Sequence, residues 1–342
     1  MSEDTQTRDT PENETGALLC ATSEEAAAHA TVLNWLTTLD SRPHQEDFLS
    51  KRYAGTCQWF LESPEYQTWL SNNEQTLFCT GHRGVGKTIL TAVVVDDLGR
   101  RFAADPTVGI AYMYYISSLE ETLLSLLKQL VSGQSPLPHI VQELYSSHQS
   151  TGTRPSLAEI KVALYSVVQK KSRVFIVLDT VDGWHVCNDC PFAVTQELFS
   201  MQAECRTNMF ATARQASGFT MWFNDCPSFE IRSSDEDMGN YLDSLISQMP
   251  VVREDPLLQE EIKSRILKVS DGTFCLTENN FRSLLDISTT SQMRKALDKL
   301  EARPNTSKKG SINLYNRIQH QGQNVKGLAK KALTWISHTK DR

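Results

Sequence analysis

The chain has 342 residues, 40% hydrophobic and 22% charged, enough for one large domain or two ordinary ones with a sizeable buried core. A formal net charge of −7 sets the expectation that nucleic acid is not a partner, because DNA and RNA binders usually concentrate a basic face. The longest solidly apolar run, Val174–Leu178, is far too short for a membrane span, and eight cysteines are too sparse for a disulfide scaffold.

Residues 1–24 are rich in Ser, Thr, Glu and Asp and are expected to be disordered. With no basic and apolar signal region at its start, the chain is read as cytoplasmic. Residues 25–73 form a helical leader. In it Trp59, Phe60 and Leu61, then Tyr66, Trp69 and Leu70, predict two short amphipathic helices parted near Ser63-Pro64.

Residues 74–232 read as an α/β core. Thr76–Thr80 is a short apolar strand running into Gly81, and the next helix repeats Leu90, Val94, Leu98 and Phe102 at four-residue steps. A strand near Val108–Ile116 follows, then helices near Leu119–Leu130, Pro138–Ser147 and Ser156–Lys170. Val174–Leu178 is continuously apolar, as a central parallel strand covered on both faces must be. A helix near Pro191–Glu204, a strand at Asn208–Thr212 and a shorter one at Pro227–Ile231 complete an alternation that predicts a parallel sheet.

Residues 233–302 turn wholly helical. Ser233 and Glu236 have capping-box spacing ahead of Tyr241, and further helices are expected near Pro256–Val269 and Ser291–Leu300. Residues 303–342 hold a Pro/Ser/Lys-rich connector and a last helical stretch from Ile312. Cys79 and Cys275 read as core thiols. Cys187 and Cys190, near His185 and Asp189, lack a second ligand pair and read as loop rather than zinc site.

Gly81, His82, Arg83, Gly84, Val85, Gly86, Lys87 and Thr88 satisfy the G-x-x-x-x-G-K-[ST] pattern between a strand and a helix. Glycines there let successive N–H groups curl around phosphate oxygens. Lys87 adds a point charge, Thr88 a hydroxyl for magnesium, and the helix its positive end. Such a loop needs a carboxylate at a neighbouring strand end, and Asp179 directly follows Val174–Leu178. Asp182 either orients an attacking water or caps a loop. Arg214, ending the strand at residues 208–214, is placed to report a γ-phosphate if that strand lies beside the phosphate-loop strand.

These residues together resemble the NACHT branch of the STAND NTPases. They are most similar to the nephrocystin-like N-terminal module of filamentous-fungal NACHT and ankyrin-repeat proteins. The likeness runs through Asn34-Trp-Leu36, Gly55–Leu61 and Trp69-Leu70, then the Walker A segment at residues 77–88 and the Walker B segment at 174–182. It continues through the sensor strand Phe210–Arg214, Ser270–Phe274, Ala296–Leu300 and Ala329–Ile336, where a winged-helix region begins. The resemblance implies a nucleotide-dependent switch using ATP/ADP and Mg2+, possible slow ATPase turnover, and protein partners or self-association through the NACHT domain. It also implies that the Walker B and sensor strands both neighbour the phosphate-loop strand.

Three departures stand out: Gly183 where the family usually has Glu, Thr-Ala-Arg where Thr-Ser-Arg is common, and an end at Arg342 where the winged helix would start. The last sets the expectation of a truncated member, a fragment or a stand-alone regulator. A non-hydrolysing nucleotide-holding scaffold is the alternative function. A kinase or GTPase reading fits less well, since no guanine-reading signature is apparent. Arg52, Gly55 and Thr56 are candidates to fold over the adenine, against the plainer reading in which Trp59 and Trp69 pack the leader onto the domain.

Overall fold

The computed structural model describes residues 25–115, 118–183, 190–214, 222–270 and 272–301. The expectations for residues 1–24, for the Cys187/Cys190 pair and for 303–342 fall outside them.

Five parallel strands make one sheet: β1 (Thr76–Gly81), β2 (Val108–Met113), β3 (Arg173–Leu178), β4 (Thr207–Arg214) and β5 (Ser228–Glu230), in the order β2-β3-β4-β1-β5. The sensor strand β4 does neighbour β1, with Gly81 opposite Arg214. The Walker B strand β3 does not: β4 lies between them, which corrects the arrangement implied by resemblance. Its end still reaches the loop, because parallel strands bring all their carboxyl ends to one edge of the sheet.

The helices follow from local signals. The leader holds α1 (25–36), α2 (Arg42–Ser50), α3 (Gln58–Leu61) and α4 (Pro64–Ser71). Ser63 caps α4 by accepting from the Tyr66 N–H, with Pro64 preset at the first helical position. After β1 comes α5 (Lys87–Arg101), and after β2 come α6 (Leu119–Val131), α7 (His139–Gln149) and α8 (Leu157–Gln169). Ser118 caps α6, while Ser156 and Glu159 close a full capping box on α8. Then α9 (Cys190–Cys205) links β3 to β4.

The sheet is covered on both faces. On one, Leu123, Leu127, Ile160, Leu164 and Leu198 from α6, α8 and α9 pack over Ile176, Met209 and Ala211. On the other, Leu90, Val94 and Leu98 of α5 join Phe60, Tyr66 and Trp69 of the leader over Phe175, Val177 and Phe210. The leader is also tied by polar contacts. Trp69 Nε1 donates to the Met209 carbonyl at 2.8 Å, and the Asn208 amide donates to the carbonyls of Trp69 and Asn72 at 2.8 and 2.7 Å. Packing by Trp69 is thus a structural fact.

The chain divides into two compact units. The first runs to Tyr241 and takes in Gly272–Cys275; the second holds Leu242–Asp271 and the residues from Leu276 on. Within the second, α10 (Asp235–Ile246) contributes its last turns, followed by α11 (Pro256–Ser270), the part of α12 (Phe274–Arg282) from Leu276 on, and α13 (Thr290–Glu301). Their core is Leu242, Ile246, Leu258, Ile262, Ile266, Phe281, Met293 and Leu297.

Two local expectations are corrected. Ser234, not Ser233, caps α10, accepting from the N–H groups of Glu236 and Asp237, while the Ser233 hydroxyl donates to the Val85 carbonyl at 3.3 Å. Cys79 is fully buried but Cys275, in the first turn of α12, is exposed. No described helix is long and apolar enough to cross a membrane.

Candidate phosphate-binding site

β1 delivers Gly81 to the carboxyl edge of the sheet, and the chain turns through residues 82–86 into α5. Gly86, at the amino-terminal boundary of α5, has φ +97°, and Gly84 has φ +85°. Both lie in the left-handed region that a side chain disfavours. At Gly84 space is a second reason: a Cβ would come 2.7 Å from Cys275 Cβ and 3.0 Å from Thr273 Cγ2. The Gly84 carbonyl accepts a hydrogen bond from the Cys275 N–H at 3.3 Å, so residues 273–275 are seated on the loop. His82 and Arg83 at the loop tip are exposed, whereas Val85 is buried.

Lys87 is folded back on the loop, its Nζ donating to the carbonyls of Gly81 and His82, each at 2.9 Å. Burial pulls its pKa down, Asp182 and Asp179 oppose that, and Arg214 adds to it. Across the loop, Thr88 Oγ1 donates to one carboxylate oxygen of Asp179 at 2.8 Å. The other oxygen accepts from Thr212 at 2.9 Å and from Thr91 at 3.0 Å, the Thr91 proton being shared with the Lys87 carbonyl. Thr212 is held in turn by the Thr180 N–H at 2.7 Å. Three hydroxyls from α5 and β4 therefore orient one nearly buried carboxylate.

Asp182 and Arg214 meet directly. The Asp182 carboxylate accepts from the Arg214 backbone N–H at 3.0 Å and from Nε at 2.5 Å. The carboxylate side chain is 2% exposed and the arginine's 47%, so a buried acid anchors a half-exposed cation at the edge of the site.

The leader reaches the same neighbourhood. Arg52 donates through Nη2 and Nε to the Thr56 carbonyl at 2.7 and 3.1 Å. The buried Asp237 of α10 accepts from the Cys57 N–H and from Trp59 Nε1, each at 2.9 Å. Partly buried rings line up from the leader towards the loop: Tyr53 to Tyr241 at 6.0 Å between centroids, and Tyr241 to Phe274 at 6.1 Å. A methyl group on Gly86 would sit 3.8 Å from the Phe274 ring.

The sequence-predicted residues Gly81 to Thr88, Asp179, Asp182 and Arg214 all come together at one edge. Sequence reasoning missed Thr91, Thr212 and Asp237. Thr212 had a signal, as the hydroxyl residue of the Thr-Ala-Arg strand end; Thr91 had its spacing, one helical turn past Lys87. Among the described residues no cluster of His, Cys, Asp and Glu could hold a metal by itself.

The strand order, the loop and the strand-end carboxylate settle the fold. It is that of a P-loop NTPase. Residues 55–214 match the family model described as Nephrocystin 3, N-terminal. No curated protein matches the chain. Among solved structures it is similar to the Walker-type ATPase PABY2304 of Pyrococcus abyssi, with 13% identity, TM-score 0.46, and 86% of this chain and 81% of that one covered. It is similar to the Aeropyrum pernix ORC1 protein in complex with DNA, with 13% identity, TM-score 0.45 and coverage of 85% and 72%. It is also similar to Drosophila ORC bound to DNA, with 16% identity, TM-score 0.40 and coverage of 84% and 70%.

Two of those structures contain DNA, which removes the sequence expectation that nucleic acid is no partner. The physical flaw in that expectation is plain: a net charge sums over the chain and says nothing of where basic side chains gather.

Proposed function

We propose that the chain binds ATP with magnesium at residues 81–88 and Asp179, and serves as a slow ATPase switch of the NACHT-type STAND class. The observation that carries this reading is the 2.8 Å hydrogen bond between Thr88 and Asp179, which sets a hydroxyl and an oriented carboxylate side by side next to the phosphate loop. These are the groups a P-loop protein offers to magnesium, and Thr88 and Asp179 would hold it. Magnesium held there would neutralise phosphate charge.

The chain's own residues do the rest. Loop N–H groups and the α5 amino terminus receive the phosphates, and Lys87 turns from the Gly81 and His82 carbonyls to meet them. Asp182 acts as a positioning residue that holds Arg214 towards the γ-phosphate, rather than as the residue that orients water. Tyr53, Tyr241 and Phe274, with Arg52, Gly55 and Thr56 beside them, supply a place for the base. The leader (25–73), core (74–232) and helical part (233–302) act as the parts of the switch, with protein partners or self-association as its output.

A second reading is favoured by one specific feature: Gly183 stands where a further carboxylate would activate water, and both Asp182 oxygens are engaged by Arg214. On that reading the chain holds nucleotide without turning it over. Thermal unfolding with magnesium and ATP, ADP or GTP, beside Lys87→Ala, tests binding. Nucleotide at a hundredfold excess over its Kd adds about 2.7 kcal/mol of stability, and the variant should lose that gain. No shift with any nucleotide would end the switch proposal. Phosphate release faster in the wild type than in Lys87→Ala, but well below ~10 s⁻¹, supports the slow ATPase; equal release supports the scaffold.

A further inference from the structure

The opposite edge of the sheet carries a second feature. Among the described residues β2 is an edge strand, paired only with β3. The carbonyls of Thr107 and Met113 accept from the N–H groups of Ser172 and Asp179, so the odd-numbered residues of β2 bond inward. Val108, Ile110 and Tyr112 therefore turn their N–H and C=O groups outward.

The carboxyl half of that edge is closed. The Gln129 side-chain amide accepts from the Tyr112 N–H and donates to the Tyr112 C=O, both at 3.0 Å, as a neighbouring strand would. The amino half is open. Val108 spends its N–H on the Asp105 carbonyl, but the Val108 C=O and both backbone groups of Ile110 have no hydrogen-bond partner among the described residues. They face a cavity of about 610 Å³, bounded by Leu130 in the last turn of α6, by Gln134 beyond it, and by Lys170 and Lys171 after the end of α8. Among the described residues no acidic side chain lines it. Neither lysine forms an ion pair among the described residues; Lys171 donates to the Pro106 carbonyl at 2.9 Å.

We propose that the Val108–Ile110 edge is a strand-addition site for an extended, acidic peptide segment of a partner protein. Unpaired backbone groups supply register, the cavity takes side chains, and Lys170 and Lys171, neither in an ion pair with a described residue although the Asp105 carboxylate acts on Lys171 from nearby, select negative charge. An edge of this kind is ordinarily covered or blunted, and here only the Tyr112 half is. The site lies at the amino ends of the strands, whereas Gly81, Asp179 and Arg214 lie at the carboxyl ends, so its failure and that of the nucleotide reading are separable.

The test is fluorescence anisotropy on the full chain, using a fluorescein-labelled valine–glutamate alternating octapeptide and its valine–lysine counterpart. The acidic probe should saturate and bind at least about tenfold tighter than the basic one, and the double variant Lys170→Glu/Lys171→Glu should lose that preference. Ile110→Pro, which removes the edge N–H, should weaken binding, and bound probe should slow hydrogen exchange at the Ile110 amide. Absence of saturable binding, equal affinity for both probes, or indifference to the lysine reversal would overturn the proposal. Lys170 is exposed and Lys171 half-buried, and both lie outside the strand itself, so this arm stands even if Ile110→Pro does not fold.

Discussion

Gly84→Ala is expected to cost more than a left-handed glycine normally does, and Gly55 provides a matched control. The two residues have almost the same backbone angle, φ +85° and φ +84°. A methyl group at Gly55 meets nothing within 4 Å, whereas at Gly84 it comes 2.7 Å from Cys275 Cβ. Gly55→Ala should therefore lose only the left-handed penalty, roughly 1–2 kcal/mol. Gly84→Ala adds an overpacking cost of about 1–3 kcal/mol, because Thr273 and Cys275 must lift from the loop. Urea unfolding without nucleotide, followed by tryptophan fluorescence, reads both, since Trp35, Trp59, Trp69 and Trp222 lie in the sheet unit. Equal losses in the two variants would refute the seating of residues 273–275 on the phosphate loop.

Asp179→Asn should leave ATP-induced stabilisation the same with and without magnesium, while in the wild type magnesium should enhance it; a thermal shift titration distinguishes the two. Asp237→Ala strands the Cys57 N–H and the Trp59 indole N–H, each unmet donor costing about 1–3 kcal/mol, and Asp237→Asn, which keeps an acceptor, should cost less in urea unfolding. Burial, then the Asp237 carboxylate, pushes the Cys57 thiol from 9.0 up to about 11, against smaller pulls from Arg52 and Thr56. Between those values the unfolded chain releases a proton that the folded chain keeps, so stability falls as pH rises, by on the order of 2–3 kcal/mol. Cys57→Ser should remove that slope from the difference between the two pH profiles.

Legibility in the sequence tracked how local the governing physics is. β3 was readable because a strand covered on both faces must be apolar throughout, and Arg173–Leu178 is buried along nearly its whole length. α6 and α8 were placed within a residue or two from helical patterning, while their serine caps are seen only in the fold. α2 was not separated from the rest of the leader, because among its nine residues only Gln45 is buried and no apolar stripe exists to see. Its hold on the core is polar: Gln45 Nε2 donates to the Ala92 carbonyl at 2.8 Å and its Oε1 accepts from the buried Tyr114 hydroxyl. The cap of α10 slipped by one residue because Ser233 and Ser234 are adjacent, and only the path of the chain decides which one faces the helix N–H groups.

The candidate site divides along the same line. Its loop was legible because a phosphate cradle imposes glycines at fixed spacing, and Asp179 because it ends the most apolar strand. The groups that aim Asp179 were not, since Thr91 and Thr212 lie 88 and 33 residues away and are ordinary hydroxyls until the sheet closes. Asp237 is the clearest case. It sits in a first helical turn beside Asp235 and Glu236, where acids are expected for the helix dipole alone. Only the fold shows it to be nearly buried and to bind the leader at Cys57 and Trp59. A side chain whose role depends on a partner 180 residues distant leaves no periodic trace. Orientation of the leader against the phosphate loop is therefore fixed by tertiary contacts that the sequence pattern cannot carry, even though the loop itself is written in it.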